Sequence, residues 1–183
     1  MKDLSNLEFM QLEVGTRLLP FSCDDEDLNG FLLEDAKKYL EDLMAVTYIF
    51  VDKKSNQIAA YFSLLNDKVA YNPQTKGIWN RINRHIHNNK RRKSYPSVKI
   101  GRLAVGTDYT KQGLGSDILN LVKRTFANGN RSGCRFITVD AYAKATDFYI
   151  KNGFNFFTNL DIMDNTRLMY FDLKSVKKQP ISK

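Results

Sequence analysis

The sequence has few cysteines, no long apolar run and one long stretch without acidic residues. Only Cys23 and Cys134 are present among 183 residues, and their separation excludes the paired spacing of a structural zinc site or a disulfide framework. We therefore expect reduced, buried thiols. No apolar stretch approaches the roughly 18 residues of a membrane-spanning helix, and the N-terminus lacks the apolar core of a signal peptide. These absences predict a cytoplasmic protein without membrane contact.

The gap without acidic residues, between Asp67 and Asp108, locates the excess positive charge. The chain has a net charge of +8, from 28 Lys and Arg against 20 Asp and Glu. We call residues 68–107 the basic segment, because ten of the basic residues lie there: Lys68, Lys76, Arg81, Arg84, Lys90, Arg91, Arg92, Lys93, Lys99 and Arg102. The rest of the chain is nearly neutral. A local excess of this kind favours a polyanionic partner such as a nucleic acid.

The length of the chain suits one domain. A composition of 43% hydrophobic and 26% charged residues is typical of a globular protein with one sizeable core, which excludes a wholly disordered chain. We find no internal repeat and no low-complexity tract. The predicted boundaries are one domain at residues 1–173 and a basic C-terminal tail at residues 174–183.

Hydrophobic periodicity predicts alternating strands and helices. Apolar residues spaced by three and four from Leu28 to Leu43 predict a long amphipathic helix, and β-branched and aromatic residues predict a hairpin with strands at 46–51 and 57–65. Residues 72–96 break the pattern and hold at most a short helix. The predicted order is β-α-β-β-insert-β-α-β-α-β-β, which is an α/β (α+β) fold with a mixed sheet. The later elements are placed at 98–105, 113–128, 135–141, 144–152, 154–157 and 168–173.

The turn Gln112-Gly-Leu-Gly-Ser116 follows a predicted strand and begins a helix. The first N–H groups of a helix have no intrahelical partner and its end carries about half a positive charge, so a phosphate fits there. Gly113 and Gly115 would let a pyrophosphate approach the backbone. A plain tight turn explains the same residues equally well. The Walker ending and the three-glycine dinucleotide pattern are both missing, which disfavours nucleotide hydrolysis and nicotinamide chemistry.

A second motif, Ala145-Thr-Asp-Phe-Tyr-Ile-Lys-Asn-Gly-Phe154, follows a predicted buried strand. Together with Leu103-Ala-Val105 and the glycine turn, it resembles the acetyl-CoA half of the GCN5-related N-acetyltransferases (GNAT) over residues 98–157. The resemblance implies a GNAT-type domain with a mostly antiparallel sheet flanked by helices, acetyl-CoA as cosubstrate and no metal. It also implies the cofactor-binding residues, which are Leu103, Ala104 and Val105 for the pantetheine arm, and Lys111, Gln112, Gly113, Leu114, Gly115 and Ser116 for the pyrophosphate.

The chain departs from the family at two positions. Thr110 stands where the family usually has Arg or Gln, and Tyr142 stands where it often has asparagine. These changes affect side-chain contacts with the cosubstrate, whereas the main anchors are backbone groups. We therefore still expect acetyl-CoA to bind.

Tyr149 matches the family tyrosine whose hydroxyl faces the sulfur of coenzyme A. An amine that attacks the thioester expels a thiolate, and a free thiol has a pKa of about 8.5 against about 10 for tyrosine. Complete proton transfer from tyrosine would cost about 2 kcal/mol, which is small beside the roughly 8 kcal/mol or more that enzymes supply. Tyr149 is thus the predicted general acid, and Phe148 is expected to pack in the core. For a general base the sequence offers only Asp140, whose more common role is a cap or surface charge.

A narrower likeness concerns the acetyl acceptor. Phe21-x-Cys23, Leu28-Asn-x-Phe-Leu32, Tyr61-Phe-Ser63 and Arg91-Arg92 ahead of Pro96 are similar to the acetyltransferase toxins of bacterial toxin–antitoxin systems. Those enzymes acetylate the free α-amine of aminoacyl-tRNA and so block translation. The resemblance implies aminoacyl-tRNA as the acceptor and a small DNA-binding antitoxin as a partner, and it leaves a homodimer open.

The basic segment suits such an acceptor. The predicted substrate-binding residues are Lys90, Arg91, Arg92 and Lys93, whose contacts with phosphates would release counterions. Trp79, His85 and Tyr95 could stack on unpaired bases, although Trp79 with Ile82 and Ile86 also forms an apolar face that would pack inward.

Two other functions stay open. One is an acetyltransferase that acts on a small-molecule or protein amine, which would depend on Tyr149 but not on Lys90–Lys93. The other is a non-catalytic RNA-binding module, whose salt-sensitive binding would survive the loss of the Tyr149 hydroxyl.

Overall fold

The computed structural model describes residues 6–128 and 132–176. These residues form two compact units, of which the first holds the chain up to Leu65 and residues 100–120, and the second holds residues 66–99 and the chain from Leu121 onward. Of the predicted tail, residues 177–183 lie outside the described ranges, and Lys174 belongs to a short 3-10 turn, Leu173–Ser175. The domain boundary at residue 173 stays a prediction.

In the described ranges seven strands form one sheet: β1 (Leu7–Gln11), β2 (Val46–Asp52), β3 (Gln57–Ala70), β4 (Ser94–Val105), β5 (Phe136–Tyr142), β6 (Asn155–Phe156) and β7 (Thr166–Asp172). The strand order is β1-β2-β3-β4-β5-β7-β6. The pairs β1–β2, β2–β3, β5–β7 and β6–β7 are antiparallel. A helix connects the neighbouring strands β4 and β5, and a crossover of this kind is typical of a parallel pair. The predicted α/β fold with a mixed, mostly antiparallel sheet is therefore confirmed.

The described helices are α1 (Glu26–Gly30), α2 (Ala36–Glu41), α3 (Lys76–Asn83), α4 (Leu114–Ala127) and α5 (Thr146–Lys151). A π-helical turn joins α1 to α2, so the first predicted helix is continuous but irregular. Its predicted end at Leu43 is wrong, because the helix stops at Glu41 and Leu43 has a left-handed backbone and a 91% exposed side chain.

The core of the first unit forms where α1 and the following π-helical turn pack on β3. Tyr61 is fully buried, and its hydroxyl donates a hydrogen bond of 2.7 Å to the carbonyl of Leu28. Its ring lies against Phe21 and Phe31. The Phe21, Leu28–Leu32 and Tyr61 motifs noted in the sequence therefore hold α1 against the sheet.

The core of the second unit is aromatic. Phe136 is fully buried between the rings of Tyr95 and Tyr170, and Trp79 from α3 stacks on Tyr95 at 5.4 Å between ring centroids. The inward-facing interpretation of Trp79 is confirmed, because Trp79 and Ile82 are both buried. This packing anchors α3, and with it the middle of the basic segment, to the sheet.

Neither thiol is fully buried. Cys23 and Cys134 are free and half-buried, so the expectation of buried thiols is wrong, and each thiol contacts a nearby backbone carbonyl instead. Within residues 6–128 and 132–176, no helix is both long and apolar enough to cross a bilayer. The same residues contain no group of three or more His, Cys, Asp or Glu side chains arranged to hold a metal ion.

Candidate functional site

The turn that leaves β4 is held by side-chain and backbone hydrogen bonds within the first unit. The N–H of Gly106 donates to the carbonyl of Ala59 at 2.9 Å. The hydroxyl of Tyr109 donates to the carboxylate of Asp52 at 2.8 Å and lies 2.9 Å from the hydroxyl of Ser55. These contacts join the turn to the β2–β3 hairpin and so fix where α4 begins.

The glycine turn itself has an open, left-handed backbone. Lys111 and Gly113 both have positive φ, at 58° and 86°, and both are exposed. The hydroxyl of Thr110 donates to the carbonyl of Thr107 at 2.9 Å, so this departure from the family stabilises the turn. The carbonyl of Gly113 accepts the N–H groups of Ser116 and Asp117, which places the first free N–H groups of α4 around Gly113.

Two side chains of the glycine turn are engaged with the protein itself. Leu114 is buried, and the side-chain amide of Gln112 donates to the carbonyl of Asp108 at 2.9 Å. Only the backbone groups of these two residues are then suited to a ligand. On β4, Ala104 is buried in the core while Leu103 and Val105 are half-buried. The cofactor-binding role of these residues stays a prediction.

Arg102 lies on the same strand, just before Leu103. From the sequence it was known only as one of the ten cations of the basic segment. Its guanidinium lies 5.1 Å from the ring centroid of Phe31, and its Nε lies 3.6 Å from a carboxylate oxygen of Asp27. Within the described residues, this Nε is buried without a hydrogen-bond partner. No sequence signal distinguishes it from the other cations of the basic segment.

Tyr149 lies on α5 in the second unit and is buried. Its side chain is 6% exposed, and its ring packs edge-on against Phe148 at 5.1 Å and Phe154 at 5.4 Å. Phe148 is only half-buried, so the expectation that Phe148 is the core residue of the pair is wrong. Burial raises the pKa of Tyr149 well above its usual value near 10.

The C-terminal end of α5 is held by a buried lysine that the sequence did not reveal. Gly153 has a φ of 80° and lies just past the end of the helix, as is typical of a glycine that stops one. The ammonium of Lys123 donates to the carbonyl of Asn152 at 2.7 Å and lies 4.5 Å from the ring centroid of Phe171. Burial lowers the pKa of Lys123. A lysine in an amphipathic helix usually faces solvent, so only the structure shows that this one supports the segment that carries Tyr149.

The raised pKa of Tyr149 predicts how stability depends on alkaline pH. A group whose pKa is higher in the folded state contributes stability that is complete below the unfolded pKa and is lost as pH rises through the folded pKa. We expect the free energy of unfolding to fall above about pH 10, and to fall less steeply in a Tyr149→Phe variant. Urea unfolding of both proteins across this range measures the effect, and equal slopes would contradict it.

The candidate general base is engaged in an ion pair. The carboxylate of Asp140 contacts the ammonium of Lys99 from the neighbouring strand β4. This contact agrees with the more common role of such a carboxylate, a surface charge. His85 and His87 are exposed.

The cations of the basic segment concentrate in residues 84–93, which we call the basic loop. Lys90, Arg92 and Lys93 are exposed, and within the described ranges their side chains form no hydrogen bond or ion pair. Trp79 and Tyr95 are buried against each other, so the idea that these two rings stack on bases is wrong. Lys90–Lys93 and Tyr149 belong to the second unit, whereas Leu103–Val105 and Lys111–Ser116 belong to the first.

Comparison with known proteins supplies a family and a set of similar folds. The sequence family described as "Acetyltransferase (GNAT) domain" matches residues 47–156. No curated protein sequence matches the chain. Among solved structures, the chain is similar to a bacterial toxin, with a TM-score of 0.75 and 13% identity over 92% of this chain and 91% of that one.

Two further structures cover nearly all of both chains. One is a tyrosine-to-phenylalanine mutant of KacT, with a TM-score of 0.73 and 22% identity over 93% of this chain and 97% of that one. The other is AtaT complexed with acetyl-methionyl-tRNAfMet, with a TM-score of 0.72 and 22% identity over 92% and 96%. At such identities the likeness shows a shared fold.

Proposed function

Because the chain belongs to the GNAT acetyltransferase family, we propose that it transfers the acetyl group of acetyl-CoA to the α-amine of aminoacyl-tRNA. Membership of the family makes the chain an acetyl-CoA-dependent N-acetyltransferase. The identity of the acceptor and the roles of individual residues are the proposed parts.

The glycine turn suits the pyrophosphate of acetyl-CoA. Gly113 leaves the backbone open, because it has no side chain and adopts a left-handed conformation. The inward side chain of Leu114 leaves its N–H at the first turn of α4, where an anion is favoured. We propose that the N–H groups of Gln112–Gly115, the hydroxyl of Ser116 and the ammonium of Lys111 bind the pyrophosphate. The backbone of Leu103–Val105 would then pair with the pantetheine arm.

Acetyl-CoA supplies a thioester whose sulfur leaves as a thiolate when the amine attacks. Tyr149 is the proposed donor to that sulfur. Since burial raises the pKa of Tyr149, complete proton transfer costs more than the roughly 2 kcal/mol of an unperturbed tyrosine. We therefore expect Tyr149 to act mainly by donating a hydrogen bond to the developing thiolate, in an apolar setting where such a bond is strong.

The observation that carries the choice of acceptor is the basic loop. Lys90, Arg92 and Lys93 are exposed in a segment without acidic residues. Exposed cations that form no contact within the protein can bind phosphates, and this binding is favourable because it releases the counterions of the nucleic acid. A small amine is itself cationic and would gain nothing from such a surface.

The chemistry of the α-amine also suits this chain. An α-amino group has a pKa of about 7.7 to 8.0, against about 10.4 for a lysine side chain. At pH 7 about one α-amine in ten is neutral and nucleophilic, compared with about one lysine in 2,500. An acceptor of this kind has less need of a general base, and the one candidate base, Asp140, is paired with Lys99.

The solved structures of similar fold support the same acceptor and suggest a partner. AtaT was captured with acetyl-methionyl-tRNAfMet, and a mutant AtaT toxin was captured with the C-terminus of the antitoxin AtaR. We therefore propose a toxin that is neutralised by a small antitoxin. A DNA-binding function of that antitoxin and a homodimer of this chain stay predictions.

Acetyl transfer to charged tRNA tests the proposed acceptor. With labelled acetyl-CoA, we expect label on aminoacyl-tRNA and none on the same tRNA after deacylation. A matched control is the same aminoacyl-tRNA with its α-amine formylated, which keeps every phosphate but removes the nucleophile. It should stay unlabelled.

Three results would contradict this function. Label on polyamines or peptides but not on charged tRNA would identify a small-molecule or protein acetyltransferase. Salt-sensitive tRNA binding without consumption of acetyl-CoA would indicate the RNA-binding module instead. Label on deacylated tRNA would place the acetyl group on the nucleic acid itself.

A further inference from the structure

The four consecutive cations of the basic loop differ in what their side chains contact. Lys90, Arg92 and Lys93 are exposed and, within residues 6–128 and 132–176, their side chains bond to no protein group. Arg91 instead donates two hydrogen bonds from one guanidinium, from Nη2 to the carbonyl of Asn83 at 3.1 Å and from Nε to the carbonyl of Ile86 at 3.2 Å. One cation of the four is therefore bound to its own chain.

The two carbonyls that Arg91 contacts lie where α3 ends. Asn83 is the last residue of α3, and Ile86 follows it within one turn. The last carbonyls of a helix have no intrahelical partner, and a positive charge there is favoured by the helix dipole. A guanidinium presents several N–H donors in a rigid plane, so it can hold two carbonyls at once, whereas an ammonium is a single point charge.

A second set of hydrogen bonds, which involves no charged side chain, holds the same loop. The buried hydroxyl of Tyr95 donates to the side-chain oxygen of Asn83 at 2.5 Å and accepts the backbone N–H of Arg92 at 3.1 Å. The N–H of Tyr71 donates to the carbonyl of Lys93 at 2.8 Å. The backbone of residues 91–93 is thus bound to the end of α3 on one side and to Tyr71 on the other.

We propose that Arg91 is a positioning residue, which with Tyr95 fixes the conformation of the basic loop, and that Lys90, Arg92 and Lys93 contact the phosphates of the acceptor tRNA. The inference rests on the proposed function, because it concerns the same acceptor. Of the four consecutive cations, Arg91 then fixes the conformation of the loop, and the other three bind phosphates. A fixed loop presents its cations at a constant spacing, so less conformational entropy is lost when the nucleic acid binds.

Single substitutions that remove the same charge distinguish the two roles. Arg91→Gln and Arg92→Gln each remove one positive charge from neighbouring positions, and Arg91→Lys restores the charge without the two-carbonyl geometry. Tyr95→Phe removes only the hydroxyl and keeps every charge. Binding of deacylated tRNA is measured over a range of salt concentrations. Emission from Trp79, the single tryptophan of the chain, reports the local packing because its ring stacks on Tyr95.

The two classes of variant should behave differently. Arg92→Gln should reduce the slope of log K against log salt by about 0.7 to 0.9, the effect of one lost phosphate contact, with unchanged Trp79 emission. Arg91→Gln, Arg91→Lys and Tyr95→Phe should keep the wild-type slope, shift the Trp79 emission and weaken tRNA binding by about three- to tenfold, the equivalent of one or two lost hydrogen bonds. The KM for acetyl-CoA should stay constant in all four.

The proposal is overturned if Arg91→Lys binds tRNA like the wild type, or if Arg91→Gln lowers the salt slope without a change in Trp79 emission. Tyr95→Phe is an independent test, since wild-type binding by this variant would remove the positioning role even if Arg91 variants fold poorly. Failure of the proposed function looks different. In that case tRNA binding keeps the salt dependence described above, but no acetyl group is transferred to the tRNA. A wild type that does not bind tRNA overturns the phosphate contacts as well.

Discussion

Replacing Tyr149 with phenylalanine is expected to lower kcat for acetyl transfer by about 100-fold or more, the usual cost of removing one hydrogen-bond donor to a charge that develops in the transition state. The change removes one buried hydroxyl and leaves the ring, which packs against Phe148 and Phe154. The hydroxyl is needed only when the thiolate develops, so the affinity for acetyl-CoA should change little. Steady-state kinetics and equilibrium binding of acetyl-CoA measure the two effects separately.

Tyr170→Phe is the matched control for this substitution. Tyr170 is equally buried, at 6% exposure, lies on β7 and takes no part in the proposed chemistry. We expect its kcat to stay near the wild-type value. A Tyr149→Phe variant that keeps full kcat, or that loses acetyl-CoA binding in proportion to kcat, would show that Tyr149 has a structural role instead.

Replacing Gly113 with alanine is expected to weaken acetyl-CoA binding by about tenfold. A side chain in the left-handed region costs about 1 to 2 kcal/mol, and about 1.4 kcal/mol corresponds to a factor of ten in affinity. The turn of the variant would relax to another backbone conformation, and binding must then restore the original one. The new methyl group would also occupy the space through which a pyrophosphate approaches the backbone. Calorimetric titration with acetyl-CoA checks the size of the loss.

Gly30→Ala is the matched control, because it makes the same change at a position with no proposed role in binding. Gly30 lies at the end of α1 with an ordinary helical backbone, and a methyl group there would meet no atom within 4 Å. This variant should bind acetyl-CoA like the wild type. Equal affinity in Gly113→Ala would mean that the glycine turn is a tight turn without a role in binding.

The sequence predicted the elements of the fold because most of them carry a strong local pattern. The bounds of α4, β5 and α5 lie within two residues of the predicted ones, since apolar periodicity and Gly153 mark them locally, whereas β3 runs to Ala70, five residues past its predicted end. The end of the first helix was missed because Leu43 continues the apolar spacing while its backbone turns left-handed. Spacing alone does not reveal where a chain leaves the helix.

The candidate site was predicted less completely, for a similar physical reason. Backbone sites such as the glycine turn are visible in sequence because glycine is required there. The contacts of Lys123 with Asn152, and of Arg91 with Asn83, depend on burial and on tertiary packing. In sequence a buried lysine or a bonded arginine is indistinguishable from a solvated one, so Arg91 was predicted to contact phosphates and Lys123 was not singled out.

We propose that the basic loop directs the acetyltransferase to the α-amine of charged tRNA. The most direct measurement is a competition, in which aminoacyl-tRNA and a polyamine share one reaction with labelled acetyl-CoA at low and at high salt. We predict that label accumulates on the tRNA at low salt and that this preference decreases as salt rises, because the phosphate contacts are screened. Preferential labelling of the polyamine at low salt, or a preference for tRNA that salt does not change, would contradict the claim.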